Sequence, residues 1–290
     1  MDWLYLTLVS AFCIATADAL TRKYLQGYRA RELTIVRFGM PGLLLLPLLL
    51  LQPWPQLAPG FWIWVAALVP IEVLAMLLYS KAIRDTSLSL TLPYLAFTPV
   101  FNTVTAYVLL GETVSTSGFG GIVLVVAGAW LLNLEHARNH KRFNVFAPFH
   151  AIVSERGSRL MLIVAALYSL TSVLGKGALA YTTSLFFGTM YYVLIGFVVI
   201  SVFSIGAGTP VNVLWRRPLA HLMIGVFMSV MVITHFYAIA HVEVAYMVAV
   251  KRTSLLFGIV YSVLLFHERA RPEYFFAGSL MVGGVFLIAA

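Results

Sequence analysis

The 290-residue chain is 61% hydrophobic and only 10% charged, with a mean hydropathy of +0.93. Soluble domains carry about a quarter charged residues, so a water-soluble globule of this composition would lack polar surface to coat itself. The net charge of +8 would suggest nucleic acid in a soluble protein, but the placement of the basic residues gives it another meaning here.

A membrane-crossing helix needs roughly 20 mostly apolar residues. Such stretches follow one another along the chain at 3–20, 33–51, 60–80, 87–110, 116–133, 160–180, 185–206, 218–240, 242–266 and 274–290. None shows the strict alternation over about ten residues that a membrane β-barrel requires. The fold class expected is therefore an all-α membrane protein with ten transmembrane helices. The single Cys13 excludes an intrachain disulfide. Asp2, with no Lys or Arg before Arg22, argues against a signal peptide, although Ala15-Thr16-Ala17-Asp18-Ala19 has the small residues of a cleavage box.

Lysine and arginine avoid loops that must be translocated. Of the 19 basic residues, Arg37, Lys176, Lys251 and Arg252 lie within or at the ends of spans, and the other 19 − 4 = 15 all fall in loops after spans 1, 3, 5, 7 and 9. The loops after spans 2, 4, 6 and 8 hold none. This alternation places the basic loops in the cytoplasm and both termini outside a cell (inner or cytoplasmic) membrane.

The polar, basic stretch 135–158 divides the chain into five spans over 1–134 and five over 159–290. An offset of 156 aligns Ala82-Ile83 with Ala238-Ile239, Phe101 with Phe257, Glu112 with Glu268 and Gly128 with Gly284. An odd number of spans per half means that the second copy lies inverted. Inverted halves are the framework of alternating access, with binding sites near the midplane where the repeats meet.

The repeated signature is Leu109-Leu110-Gly111-Glu112 before one Gly-rich span and Leu265-Phe266-His267-Glu268 before another. With the five-plus-five layout, it resembles the EamA-type transporters of the drug/metabolite transporter superfamily. Arg37 and Lys176 are similar to basic residues of that family, whereas His267 stands where the family has glycine. The resemblance implies a secondary transporter, exporting a small polar or amphipathic metabolite, and not an enzyme. It also implies cytoplasmic termini, against the charge count, which we follow.

Ionisable groups deep in a bilayer are functional candidates by default. Glu72, His235, Lys251 and Arg252 lie deepest in their spans. Span 4 carries Thr91, Tyr94, Thr98, Asn102 and Thr105 at helical spacing, and the equivalent face of span 9 carries Lys251 and Ser254. We therefore assign Lys251, Tyr94, Thr98, Asn102, Ser254 and Arg252 to substrate binding, with Lys251 attracting an anionic or zwitterionic group. Glu72 and His235 become coupling or counter-charge residues. The structural alternative is a buried Glu72–Lys251 or Glu72–Arg252 pair that fixes helix register. Glu112 and Glu268 are read as structural, capping the helix that follows each. Glycines on spans 5 and 10, among them Gly118, Gly121, Gly128, Gly278, Gly283 and Gly284, allow close packing as scaffold or as a homodimer surface.

No phosphate-binding loop, metal cluster or nucleophile–base pair is expected, hence no cofactor and no metal. The partners implied are a small-molecule substrate and the lipid bilayer. Two rivals remain: a flippase for a lipid-linked substrate on the same scaffold, and a membrane enzyme or subunit without transport.

Overall fold

The structure, a computed structural model, describes residues 2–85, 92–136, 156–206, 208–209, 211–267 and 272–290. The helices are α1 (Asp2–Tyr24), α2 (Ala30–Leu51), α3 (Pro59–Asp85), α4 (Thr98–Leu110), α5 (Thr116–His136) and α6 (Arg156–Leu179). They continue with α7 (Ser184–Ser204), α8 (Pro218–Ile239), α9a (Val244–Lys251), α9b (Ser254–Phe266) and α10 (Pro272–Ala289). Among the described residues there is no strand. Seven helices are long and apolar enough to cross a membrane, α9a and α9b counting together, and three shorter apolar ones (Tyr94–Leu110, Thr116–Leu132, Tyr274–Ala289) accompany them. Ten spans fit this arrangement.

Local chemistry sets the helix ends. Thr183 accepts a hydrogen bond from the Phe186 amide at 3.3 Å, capping α7. Ser115 does the same for α5 through the Gly118 amide at 3.0 Å. At the start of α2 the Arg29 amide donates to the Glu32 carboxylate at 2.7 Å. Pro41 and Pro47 inside α2, and Pro70 inside α3, survive because neighbouring helices can re-satisfy the carbonyls that proline frees.

Spans 4 and 9 are not uniform helices. A 3-10 turn over Leu92–Phe97 leads into α4, and Arg252 and Thr253 separate α9a from α9b. Both α4 and α9b are 13 residues long and start 254 − 98 = 156 positions apart. Both end on a left-handed residue, Gly111 at φ 69° and His267 at φ 53°. Glycine adopts this conformation without penalty, whereas a residue with a Cβ is disfavoured by about 1–2 kcal/mol. Replacing His267 with glycine is thus expected to stabilise the protein by about 0.5–1 kcal/mol after the added unfolded-chain entropy is subtracted. A rise in the thermal midpoint of the purified protein checks this; a fall would mean that the imidazole makes a compensating contact.

The two halves do not form separate bodies. α1 packs mainly on α8, α3 on α6, α2 on α7 and α5 on α10, so each of these helices finds its chief partner in the other half of the chain. At the α2–α7 crossing a Cβ on Gly42 would lie 2.9 Å from the Tyr192 carbonyl, and one on Gly196 2.7 Å from that of Phe38. α5 and α10 approach equally closely at Gly121, Gly128 and Gly284, whereas Gly120 and Gly283 border open space. The small-residue faces of spans 5 and 10 therefore pack against each other within the chain.

Buried side chains fall into three groups. One joins α1, α2, α7 and α8 with the first half of α3 and the last turns of α6. A second joins α5, α9a and α10. A third, around Ala82, Tyr94, Trp130, Met161 and Val164, lies at the end of α3 and the start of α6. The first and third groups part at the end of the molecule where α1 passes into α2. α8 packs on both α2 and α7, but α3 meets α2 only marginally. A seam between α3 and the α2–α7 pair results.

Candidate functional site

Lys251 is the last residue of α9a and Arg252 the first of the turn that follows. The turn is closed by short-range bonds, Arg252 amide to Ala249 carbonyl and Thr253 amide to Val250 carbonyl, both at 3.0 Å. The Leu255 and Leu256 amides bond back to Arg252 and Thr253 in the same way. Most backbone donors at the interruption are therefore occupied. Positive charge at this point comes from the two side chains. A 3-10 stretch in mid-span is a common mark of a functional hinge.

The Lys251 ammonium donates to His235 Nδ1 and to Met231 Sδ, both at 3.2 Å. Neither Lys251 nor Arg252 has a carboxylate within salt-bridge distance among the described residues. The Arg252 Nε is buried without a partner. Two adjacent cations without a counter-charge are an unstable arrangement in a low-dielectric interior, and a bound anion would neutralise it. The register-fixing Glu72–Lys251 or Glu72–Arg252 pair is not formed.

Glu72 instead lies against the hydroxyls of Thr171 on α6 and Tyr191 on α7. Tyr168 and Tyr192 surround it, and Tyr168 also stands within electrostatic reach of Arg252. Tyr79 and Tyr168 pack on the third group of buried residues, Tyr191 and Tyr192 on the first. The carboxylate thus sits where the two groups part, in the seam beside α3. Glu72, His235, Lys251 and Arg252 are each half-buried.

The polar face of span 4 is placed differently. Tyr94 is fully buried edge-on to Trp130 at 5.7 Å, beside Ser158. Thr98 is buried and its hydroxyl bonds the Leu95 carbonyl at 2.8 Å. Thr105 meets Ser169 on α6 at 2.6 Å. These groups face packed protein. Asn102 is the exception in kind: it is buried, and both amide atoms lack a partner among the described residues. Buried amides without partners are rare. Ser254 is half-buried in the first turn of α9b.

Glu112 does not cap the helix that follows it, as expected from sequence; Ser115 holds that position. Its carboxylate accepts instead from the Val244 amide at 2.9 Å, at the start of α9a, and pairs with Lys176. Lys176 also donates to the Val242 carbonyl at 2.6 Å. The reason is the tertiary crossing of α4 on α9a and α6, which brings a foreign helix N-terminus nearer than the local one. Glu268 lies outside the described residues, as does Thr91.

Comparison with known proteins fixes the class. The sequence pattern of the EamA-like transporter family matches residues 1–134 and 156–290. The chain belongs to the EamA-like transporter family. It is accordingly a multi-pass membrane transporter of the drug/metabolite type. A solved crystal structure is similar in fold, with a TM-score of 0.72 at 16% identity over 98% of this chain and 94% of that one. No curated protein matches significantly.

Within this EamA-like transporter, the site expected from sequence leaves out Asp18, Arg37 and the tyrosines beside Glu72. Asp18 and Arg37 form an ion pair between α1 and α2. Arg37 lies within electrostatic reach of Tyr79 and Tyr192, and Tyr168 feels both Arg37 and Glu72. Tyrosine at a span centre is as common in packing as in binding, so sequence offered no means of separating the two roles.

Proposed function

We propose that this EamA-like protein is a secondary transporter moving a small polar or amphipathic metabolite with an anionic group outward by alternating access. The observation that carries this reading is the basic Lys251–Arg252 pair at the interruption of span 9, partly accessible and without a carboxylate partner among the described residues. The substrate's anionic group neutralises the pair, and Tyr168 connects that position with Glu72.

Alternating access is supported by the unequal packing of α3 and α8, which correspond in the two halves. α8 is docked on both α2 and α7, with Phe236 edge-on to Phe187 at 4.9 Å, while α3 reaches α7 through Phe61 and Glu72 but meets α2 only marginally. Exchanging these two relationships would close one end and open the other, as expected of inverted repeats. At the opposite end the α4–α6–α9a junction is held by Glu112, Lys176 and the Val242 and Val244 backbone. The basic loops, on the end where the seam lies, are assigned to the cytoplasm, and both termini to the outside.

Purified protein in liposomes tests the reading through saturable flux of small organic anions and amino acids, compared with Lys251→Ala. A wild type that transports and a variant that matches it would remove Lys251 from the site. Glu72 is assigned to coupling because it is a carboxylate whose partners among the described residues are the hydroxyls of Thr171 and Tyr191. Glu72→Gln is expected to abolish uphill transport driven by a pH gradient while downhill exchange persists. Uphill transport retained in the variant would place coupling elsewhere.

A further inference from the structure

Asp18 and Arg37 are paired inside two membrane-crossing helices, yet their side chains keep 54% and 27% of their accessible surface. Asp18 stands 24 − 18 = 6 residues from the end of α1 and Arg37 stands 37 − 30 = 7 from the start of α2. At 1.5 Å per residue the pair is about 10 Å inside the helix ends, one turn from the Gly42–Gly196 crossing. Charges left accessible at that depth border water, not lipid. Arg37 belongs to α2, Tyr192 to α7 and Tyr79 to α3, and the two phenols lie within electrostatic reach of the guanidinium. From this pair a succession of polar groups runs inward through Tyr79, Tyr192 and Tyr168 to Glu72 and Arg252.

We infer that Arg37, flanked by Tyr79 and Tyr192, is a second carboxylate-binding station at the mouth of the seam, and that Asp18 occupies it when no substrate is present. The inference rests on the transport reading above and extends it by a site and a ligand class. A guanidinium binds a planar carboxylate in a fork, and the nearby Tyr79 and Tyr192 phenols suit a carboxylate carried on an aromatic or other flat apolar body. Asp18 supplies the resting partner, so an incoming carboxylate exchanges one ion pair for another and Arg37 is never left bare. A substrate released from Arg37 then meets the uncompensated pair at Lys251 and Arg252, which has no internal competitor. The gradient from an occupied to an unoccupied cationic site directs the anion inward along the seam.

Because Asp18 competes with the ligand, the two members of this ion pair have opposite effects, which a structural staple would not give. The probe is radiolabelled benzoate, measured by equilibrium dialysis against protein in phosphatidylcholine nanodiscs. The Asp18 and Arg37 variants are read both in the wild-type chain and on a Lys251→Ala background, where the mouth station alone remains. On that background Asp18→Asn is expected to lower the half-saturating benzoate concentration about three- to tenfold, the value of one partly exposed ion pair. Arg37→Gln is expected to raise it by at least that factor, and the double variant to follow Arg37→Gln. Shifts in the same direction, no shift, or no binding on the Lys251→Ala background would overturn the station. If Arg37→Gln does not fold, the sign of the Asp18→Asn effect decides alone. A wild-type chain that loses no binding when Lys251 is replaced would instead overturn the central site and leave the mouth station standing.

Discussion

Replacing Lys251 with alanine is expected to lower kcat/KM for anionic substrate about 30-fold to several thousand-fold. The range follows from losing one member of a desolvated charge pair, about 2–5 kcal/mol, at about 1.4 kcal/mol per factor of ten. The loss falls on transport and not on folding. Among the described residues Lys251 forms no salt bridge, and its ammonium contacts His235 Nδ1 and Met231 Sδ. Removing one of two adjacent like charges even relieves repulsion with Arg252. The variant is thus expected to melt at or slightly above the wild-type temperature while its flux falls. Lys251→Arg keeps the charge with a different reach and is expected to retain part of the activity. Unchanged flux, or a lowered melting temperature with flux reduced only in proportion to folded protein, would make the residue structural. Flux of each variant, normalised to folded protein, separates these results.

The largest effect on stability is expected from Gly121→Leu. α5 and α10 cross with Gly121 and Gly284 face to face: a Cβ on Gly121 would lie 2.6 Å from the Gly284 carbonyl, and on Gly284 2.7 Å from Val125 Cγ2. The nearest obstacle at Gly121 is backbone, so no rotamer change makes room. The helices must separate, and every contact along the crossing loosens with them. Overpacking of a tight interface typically costs about 1–3 kcal/mol; a four-carbon side chain against a carbonyl belongs at or above the top of that range. Gly120→Leu is the control, because a Cβ there meets nothing within 4 Å. Thermal aggregation of the detergent-solubilised protein is expected to begin well below wild type for Gly121→Leu and at the wild-type temperature for Gly120→Leu. Equal behaviour of the two would mean that the crossing is not a scaffold contact.

Much of the architecture is written in composition and periodicity because the bilayer leaves few options. A backbone in hydrocarbon must satisfy its own hydrogen bonds, so ten apolar stretches become helical spans, and only their ends are negotiable. The Gly111 signature and its partner at His267 mark the ends of α4 and α9b because a left-handed cap is a local requirement. The interruption at Arg252 was not visible in the sequence. Thr253 and Ser254 are ordinary residues within a helix, and the 3-10 turn there arises where α9a runs across α1, α4 and α5.

The candidate site divides along the same line. Glu72, Lys251, Arg252 and His235 were legible one by one, because a charge or imidazole in mid-span needs a reason wherever it occurs. Their partners were not. The face of span 4 has the spacing of a cavity lining, yet Tyr94, Thr98 and Thr105 pack into protein, since helical periodicity gives the face and not what it faces. Glu112 was recognisable as a cap, but the amide it caps belongs to Val244, 132 residues away.

By itself, then, the sequence determined the solvent, the helical secondary structure and the short list of buried charges. Each of these follows from residue chemistry within one helix length and the cost of polar groups in lipid. Only the tertiary structure decided that Lys251 and Arg252 meet no carboxylate among the described residues, that Glu72 lies against Thr171 and Tyr191, and that Asp18 meets Arg37 beside a seam. Those relations depend on which helices cross and at what height. Crossings are set by side-chain volume at contact points such as Gly42–Gly196 and Gly121–Gly284. They join residues far apart along the chain, beyond the reach of any pattern within a single span.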